Sequence, residues 1–128
     1  MGKQISVLVI DDEEHIRNMF LCHPALDGFS MAVAGDGRTG LELARQIVPD
    51  AILLDWTMPE MDGMEVLAEL KKDPETKNIP VFMLTAKKSP ADVGWAICER
   101  VDGYFAKPFD IASLAQILRQ KLTSLVTD

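Results

Sequence analysis

The sequence predicts a doubly wound α/β domain, a parallel sheet with helices on both faces. Three observations lead there: short apolar runs of strand length alternate with segments of helical period, helix-start signals stand between them, and residues able to do chemistry follow four of the five runs.

The first run, Ser6–Ile10, is almost continuous in Val, Ile and Leu, as in a strand buried on both faces. Asp11–Glu14 follows it, either an acidic first helical turn or a chemical cluster. The second run, Phe29–Ala34, leads to Asp36, a cap for a second helix whose apolar face is Leu41, Ala44, Ile47 and Val48. The third run is Ala51–Leu54. Beyond it Asp62, with Glu65 three residues later, has the form of a capping box, and Met64, Leu67, Ala68 and Leu70 make the third helical face. Asp73-Pro74 and Asn78-Ile79-Pro80 mark the exit into the fourth run, Val81–Leu84. Ser89-Pro90 opens a fourth helix across Pro90–Arg100. Val93, Gly94, Trp95 and Ile97 are weak helix formers, so this helix is expected to be short or mobile. The fifth run is Gly103–Ala106. Asp110 caps a last helix with Ile111, Leu114, Ala115, Leu118, Leu122 and Leu125 on one face. Residues 1–128 thus read as one domain of five strands and five helices, with no internal linker or output domain; pattern alone leaves the strand order open.

Composition narrows the function. At 128 residues with 48% apolar content the chain can bury a real core. A net charge of −7 disfavours direct nucleic-acid binding, because polyanions are repelled. The apolar runs are too short to span a membrane, and the N-terminus lacks an export region, which points to a cytoplasmic protein. Cys22 and Cys98 lack metal-ligand partners at useful spacing and read as reduced core or near-core thiols. His15 and His23 read as structural or solvated.

Sites in open α/β sheets form beyond the carboxyl ends of the strands. There stand Asp11, Asp12, Glu13 and Glu14 after the first strand, Asp55 after the third, Thr85 at the fourth and Lys107 past the fifth. Each alone has a plain reading: an acidic helix turn, a turn residue, a strand-end hydroxyl, a solvated lysine. Together they make an acidic pocket that needs positive charge, because clustered carboxylates raise one another's pKa. A hard, oxygen-seeking cation, Mg²⁺ (or Mn²⁺), suits that donor set at ~2.1 Å, and Lys107 adds a point charge. Asp55 can then act as a nucleophile and carry an aspartyl phosphate, with Thr85 hydrogen-bonding a phosphoryl oxygen.

The chain resembles the receiver domains of response regulators in bacterial two-component signalling, including those of the chemotaxis type. The match runs over essentially all of it, in Val9-Ile10-Asp11-Asp12-Glu13, Pro49-Asp50-Ala51-Ile52-Leu53-Leu54-Asp55, Met58-Pro59-Glu60-Met61-Asp62-Gly63, Leu84-Thr85-Ala86 and Asp102-Gly103-Tyr104-Phe105-Ala106-Lys107-Pro108-Phe109. The resemblance implies a flavodoxin-like strand order, 2-1-3-4-5, and a cis Lys107-Pro108 bond. It implies that Asp55 accepts phosphoryl from a histidine kinase or a histidine phosphotransfer protein, in a module that catalyses its own loading and slow autodephosphorylation. It assigns the metal to Asp12, Asp55 and the Thr57 backbone carbonyl, with Asp11 assisting, and the phosphoryl group to Thr85 and Lys107. It also implies a switch through Thr85 and Tyr104 that changes a protein-binding surface on the fourth helix, fifth strand and fifth helix.

Some positions vary within, or depart from, that pattern. Thr57 and Lys87 flank the phosphoryl group, and Lys87 is expected to alter its lifetime. Arg100 stands where glycine is usual; if φ is positive there the cost is about 1 kcal/mol, otherwise the helix ends differently. Trp95 reads as a packing anchor or a partner contact. Three rivals remain in view. A partner-binding domain without phosphorylation would not need the full Asp11, Asp12, Asp55, Thr85, Lys107 set. An aspartyl-phosphate hydrolase would place a second carboxylate where Thr57 stands. A flavin carrier would need a phosphate loop after the first strand, where four acidic residues stand instead.

Overall fold

A computed structural model describes residues 4–85 and 101–126. The expected Pro90–Arg100 helix, Ala86, Lys87, Trp95, Cys98 and Arg100 lie outside the described residues.

The described elements run β1 (Ile5–Ile10), α1 (Glu14–Cys22), a 3-10 turn (Pro24–Leu26), β2 (Phe29–Ala34), α2 (Gly37–Ile47), β3 (Ala51–Asp55), α3 (Gly63–Lys72), β4 (Val81–Thr85), β5 (Gly103–Ala106) and α4 (Ile111–Val126). The strands form one parallel sheet in the order β2-β1-β3-β4-β5. β2 and β5 match the predicted runs, while β1, β3 and β4 each gain one residue.

Period-two alternation explains why the strand sequences carry so little polarity. Val7, Val9, Leu53, Phe82 and Leu84 face one layer, where Ile16 and Phe20 of α1 and Ile111, Leu114, Ala115, Leu118 and Leu122 of α4 cover them. Leu8, Ile10, Ile52, Leu54, Val81 and Met83 face the other, under Leu41 and Ala44 of α2 and Val66, Leu67 and Leu70 of α3. Fully burying one such side chain is worth about 1.5–3 kcal/mol, so the central strands are held from both sides.

The predicted caps are in place. Asp36 accepts the Thr39 N–H at 2.8 Å. Asp62 and Glu65 make a reciprocal capping box with both bonds at 3.0 Å. Asp110 accepts from the Ser113 N–H at 3.1 Å and hydroxyl at 2.8 Å.

Three expectations are corrected. Ile47 and Val48 do not extend the α2 face; both are exposed, because α2 ends at Ile47 and Val48 turns into left-handed backbone at φ 42°. Met64 is exposed, and the buried α3 stripe is Gly63, Val66, Leu67 and Leu70, at spacings of three, four and seven; Met64 lies a third of a turn off it. Cys22 is exposed as well: it sits two residues, or about 200° of helix, past the buried Phe20.

Candidate functional site

Strand register assembles the site. Ile10 is paired with Leu54, so Asp11, the next residue, comes to lie beside Asp55 at the end of β3. Asp55 is paired with Leu84, and the Trp56 N–H donates to the Leu84 carbonyl at 2.9 Å. Thr85, buried at the end of β4, is paired with Ala106, and its carbonyl accepts the Lys107 N–H at 2.7 Å. A single sheet edge thus carries Asp11, Asp12, Asp55, Thr85 and Lys107, the set predicted from sequence. The Lys107-Pro108 bond is cis.

One oxygen each from Asp11, Asp12 and Asp55 lies within 4.8 Å of the others. Asp11 is fully buried and Asp55 nearly so, at 5% exposure, while Asp12 is exposed. Asp11 Oδ1 accepts the Glu13 N–H at 2.9 Å. Asp11 Oδ2 is buried and accepts no hydrogen bond among the described residues; Lys107 Nζ stands 3.0 Å away as an ion-pair partner outside hydrogen-bonding geometry. Asp55 Oδ1 takes a long 3.4 Å bond from the Thr57 N–H and lies 3.5 Å from Lys107 Nζ.

The electrostatics show an excess of negative charge. Burial first, and the Asp11 carboxylate second, push the Asp55 carboxyl up to about 7, against the pull of Lys107. Lys107 moves the other way from what its burial alone would do: the Glu13 and Asp11 carboxylates hold its ammonium above the ordinary lysine range. A buried carboxylate oxygen without a hydrogen bond among the described residues, beside a carboxyl whose charged form burial and the Asp11 carboxylate disfavour, is the environment a hard divalent cation relieves. The three carboxylates therefore fit such an ion.

Side chains that sequence reasoning left unassigned frame this cluster. The Arg17 guanidinium donates to the Asp11 carbonyl at 2.9 Å and lies against Gly35. Nothing in an α1 sequence distinguishes that arginine from a solvated one. Glu13, which the sequence places only in an acidic run, ion-pairs with Lys107 at 2.8 Å, and this contact holds the Glu13 carboxyl below its usual range. Gly63, inside a quoted motif but without a role, brings α3 against the loop after β3, where its N–H donates to the Trp56 carbonyl at 3.0 Å. Tyr104 is partly buried on β5, paired with Met83 and packed against the layer that holds Leu8 and Ile10.

Comparison with known proteins adds independent support. The family model described as "Response regulator receiver domain" matches residues 7–119. The chain is 40% identical over 120 residues to the regulatory protein AtoC of Escherichia coli, covering 91% of this chain and 25% of that protein. It is 35% identical over 121 residues to the probable transcriptional regulatory protein TcrX of Mycobacterium tuberculosis, covering 94% and 51%. The chain therefore spans about half the length of TcrX and a quarter of AtoC. Among solved structures it is similar to the chemotaxis protein CheY4 of Vibrio cholerae, with a TM-score of 0.81 and 31% identity over 91% of this chain and 98% of that one.

Proposed function

This chain belongs to the response regulator receiver family, the phosphoacceptor modules of two-component signalling, and on that premise we propose that Asp55 is the residue that is phosphorylated. The observation that carries the reading is the meeting of Asp55, Asp11, Asp12 and Lys107 at one sheet edge, within ion-pair and metal-ligand reach of one another.

The proposed donor is a phosphohistidine on a histidine kinase or histidine phosphotransfer protein. A carboxylate oxygen of Asp55 bonds phosphorus as the P–N bond to imidazole breaks, and the electron pair leaves on the imidazole nitrogen, which takes up a proton. Asp11, Asp12, Asp55 and the Thr57 carbonyl would hold Mg²⁺ (or Mn²⁺), which when bound neutralises the carboxylates and the incoming phosphoryl oxygens. Lys107 supplies a second positive charge to those oxygens, and the Thr85 hydroxyl donates to one of them. The sheet edge fixes all these groups before the donor arrives, so little reorganisation is left for the transfer. Slow hydrolysis of the acyl phosphate returns the domain to rest.

The proposed output is a shift between two packings. Thr85 moves toward the phosphoryl group and Tyr104 turns inward behind it, biased by the new contacts. Partial burial of Tyr104 one strand from Thr85 supports this assignment. The surface that changes would include β5 and α4, and its partner a downstream protein. A net charge of −7 over these 128 residues disfavours direct contact of this domain with nucleic acid. Among the described residues no helix is long and apolar enough to cross a membrane.

Incubation with acetyl phosphate and Mg²⁺, followed by intact mass, tests the core of this reading. One phosphoryl adduct is expected on the parent, none with EDTA and none on Asp55→Asn. An adduct of equal yield on Asp55→Asn places the phosphoryl group elsewhere and removes the proposal.

A further inference from the structure

Lys107 is shared by three carboxylates, and its shortest contact is not with the phosphoacceptor. Nζ lies 2.8 Å from Glu13 Oε1, 3.0 Å from Asp11 Oδ2 and 3.5 Å from Asp55 Oδ1. The contact to Glu13 is a hydrogen bond, whereas that to Asp11 Oδ2 is an ion pair outside hydrogen-bonding geometry, so in the resting domain the ammonium is aimed at Glu13. We propose that Glu13 is a positioning residue that holds the Lys107 ammonium aside in the resting domain and thereby slows the loading of Asp55. This inference rests on the phosphoacceptor reading of that residue.

The three acceptors are not equally replaceable. Asp11 and Asp55 stand at the ends of central strands, with side chains 0% and 7% exposed; the Glu13 side chain is 45% exposed. When phosphoryl oxygens arrive on Asp55, Lys107 must surrender a partner to reach them. Leaving buried Asp11 without its counter-charge costs more than releasing Glu13 into water. The release is also sterically open: Glu13 and Lys107 line one cavity of about 340 Å³ with His15, Ile16, Met19 and Phe109. A ground-state contact that is lost on the way to the transition state lowers the rate of the step, so removing it speeds loading. The size expected from one partly exposed ion pair is about two- to five-fold.

The experiment loads the parent, Glu13→Gln, Lys107→Ala, the double variant and Glu14→Gln with acetyl phosphate and Mg²⁺, following intact mass across donor concentrations. In each case an Asp55 oxygen bonds phosphorus and the donor's P–O bond breaks to release acetate. Glu13→Gln should raise the maximal loading rate about two- to five-fold while leaving the half-saturating donor concentration unchanged, and should gain nothing in the Lys107→Ala background. Glu14 carries the same charge one residue on and has no contact with Lys107 among the described residues, so Glu14→Gln should not reproduce the gain. A gain shared by Glu14→Gln, one that persists without Lys107, or one confined to the half-saturating concentration would mark a general field effect and overturn the proposal; so would an unchanged rate. Urea unfolding of the same set in EDTA reads the resting contact by itself: Glu13→Gln and Lys107→Ala should be non-additive, and strict additivity would also overturn it. If the parent takes no phosphoryl group while that coupling is present, it is the phosphoacceptor reading that has failed, not the contact.

Discussion

Gly63 lies so close to Asp55 that a Cβ on the glycine would stand 2.5 Å from the Asp55 carbonyl oxygen, and 2.9 Å from Cα of Trp56. The neighbours are backbone, so they cannot swing aside as a side-chain tip would. The first residue of α3 is thus fixed against the end of β3 and the backbone that follows Asp55.

Gly63→Ala should therefore run against helix propensity. On an exposed helix the change would stabilise by roughly 1 kcal/mol. Here overpacking should instead destabilise by about 1–3 kcal/mol, and the displaced loop should weaken Mg²⁺ binding. Urea unfolding and calorimetric titration with Mg²⁺ check the two effects; a more stable variant with parental affinity would show that α3 does not position the site.

The raised Asp55 carboxyl sets a direction for pH dependence in metal-free protein. Its folded value is about 7 and its ordinary value 3.8, so between them the native state keeps a proton that the unfolded chain has released. Its contribution is then fully present below about pH 4 and lost as pH rises toward 7, on the order of a few kcal/mol in total. In EDTA the parent should lose stability across that window, and Asp55→Asn should lose less and be the more stable protein at neutral pH. Urea midpoints at several pH values decide it: equal slopes in both proteins would assign the loss to another group.

How much of this was legible depends on how local each signal is. Asp36, and Asp62 with Glu65, bond to backbone within three residues, and the sequence spells such caps directly. Asp11, Asp55, Thr85 and Lys107 were legible because each follows an apolar run, and parallel strands bring their carboxyl ends to one edge. The Glu13–Lys107 pair joins residues 94 positions apart and depends on side-chain reach, which no pattern encodes. Met64 failed for another reason. Periodicity gives a face only to within about one residue, so a neighbouring apolar side chain, a third of a turn away, is indistinguishable until packing is known. Cys22 was read from its lack of ligand partners, which does not say which helix face it occupies.

Val48 makes the same point at a helix end and yields a stability prediction. It caps α2 at φ 42°, ψ 70°, exposed by 52%, although a branched side chain in left-handed backbone costs roughly 1–2 kcal/mol. Val48→Gly removes that strain and loses little burial, leaving a net gain of about 1 kcal/mol after glycine's greater unfolded entropy, or about 3–5 °C in Tm. Ile47→Gly, one residue earlier and still helical, should instead destabilise by roughly 1 kcal/mol. Thermal unfolding of the two variants separates the cases: if both lower Tm, the left-handed turn at Val48 is not the native one.

Arg17 offers a final check on how the acidic loop is held. Its guanidinium donates to the Asp11 carbonyl at 2.9 Å while resting against the backbone of Gly35. It thus ties α1 to the carboxyl ends of β1 and β2. A charged donor to a carbonyl contributes about 1.5–3 kcal/mol, and planarity lets the arginine lie flat in a gap where a lysine would not. Arg17→Ala should destabilise by that amount and loosen the Asp11 side chain, with Mg²⁺ affinity falling several-fold. Removing a cation from the vicinity of an acidic site should, by long-range charge alone, strengthen Mg²⁺ binding. The two accounts predict opposite signs. Arg17→Lys keeps the charge and loses the planar contact, so it should resemble Arg17→Ala if positioning dominates and the parent if charge does. Calorimetric Mg²⁺ titration of the three proteins therefore decides between them, and tighter binding by Arg17→Ala would show that the guanidinium acts on the site only through its charge.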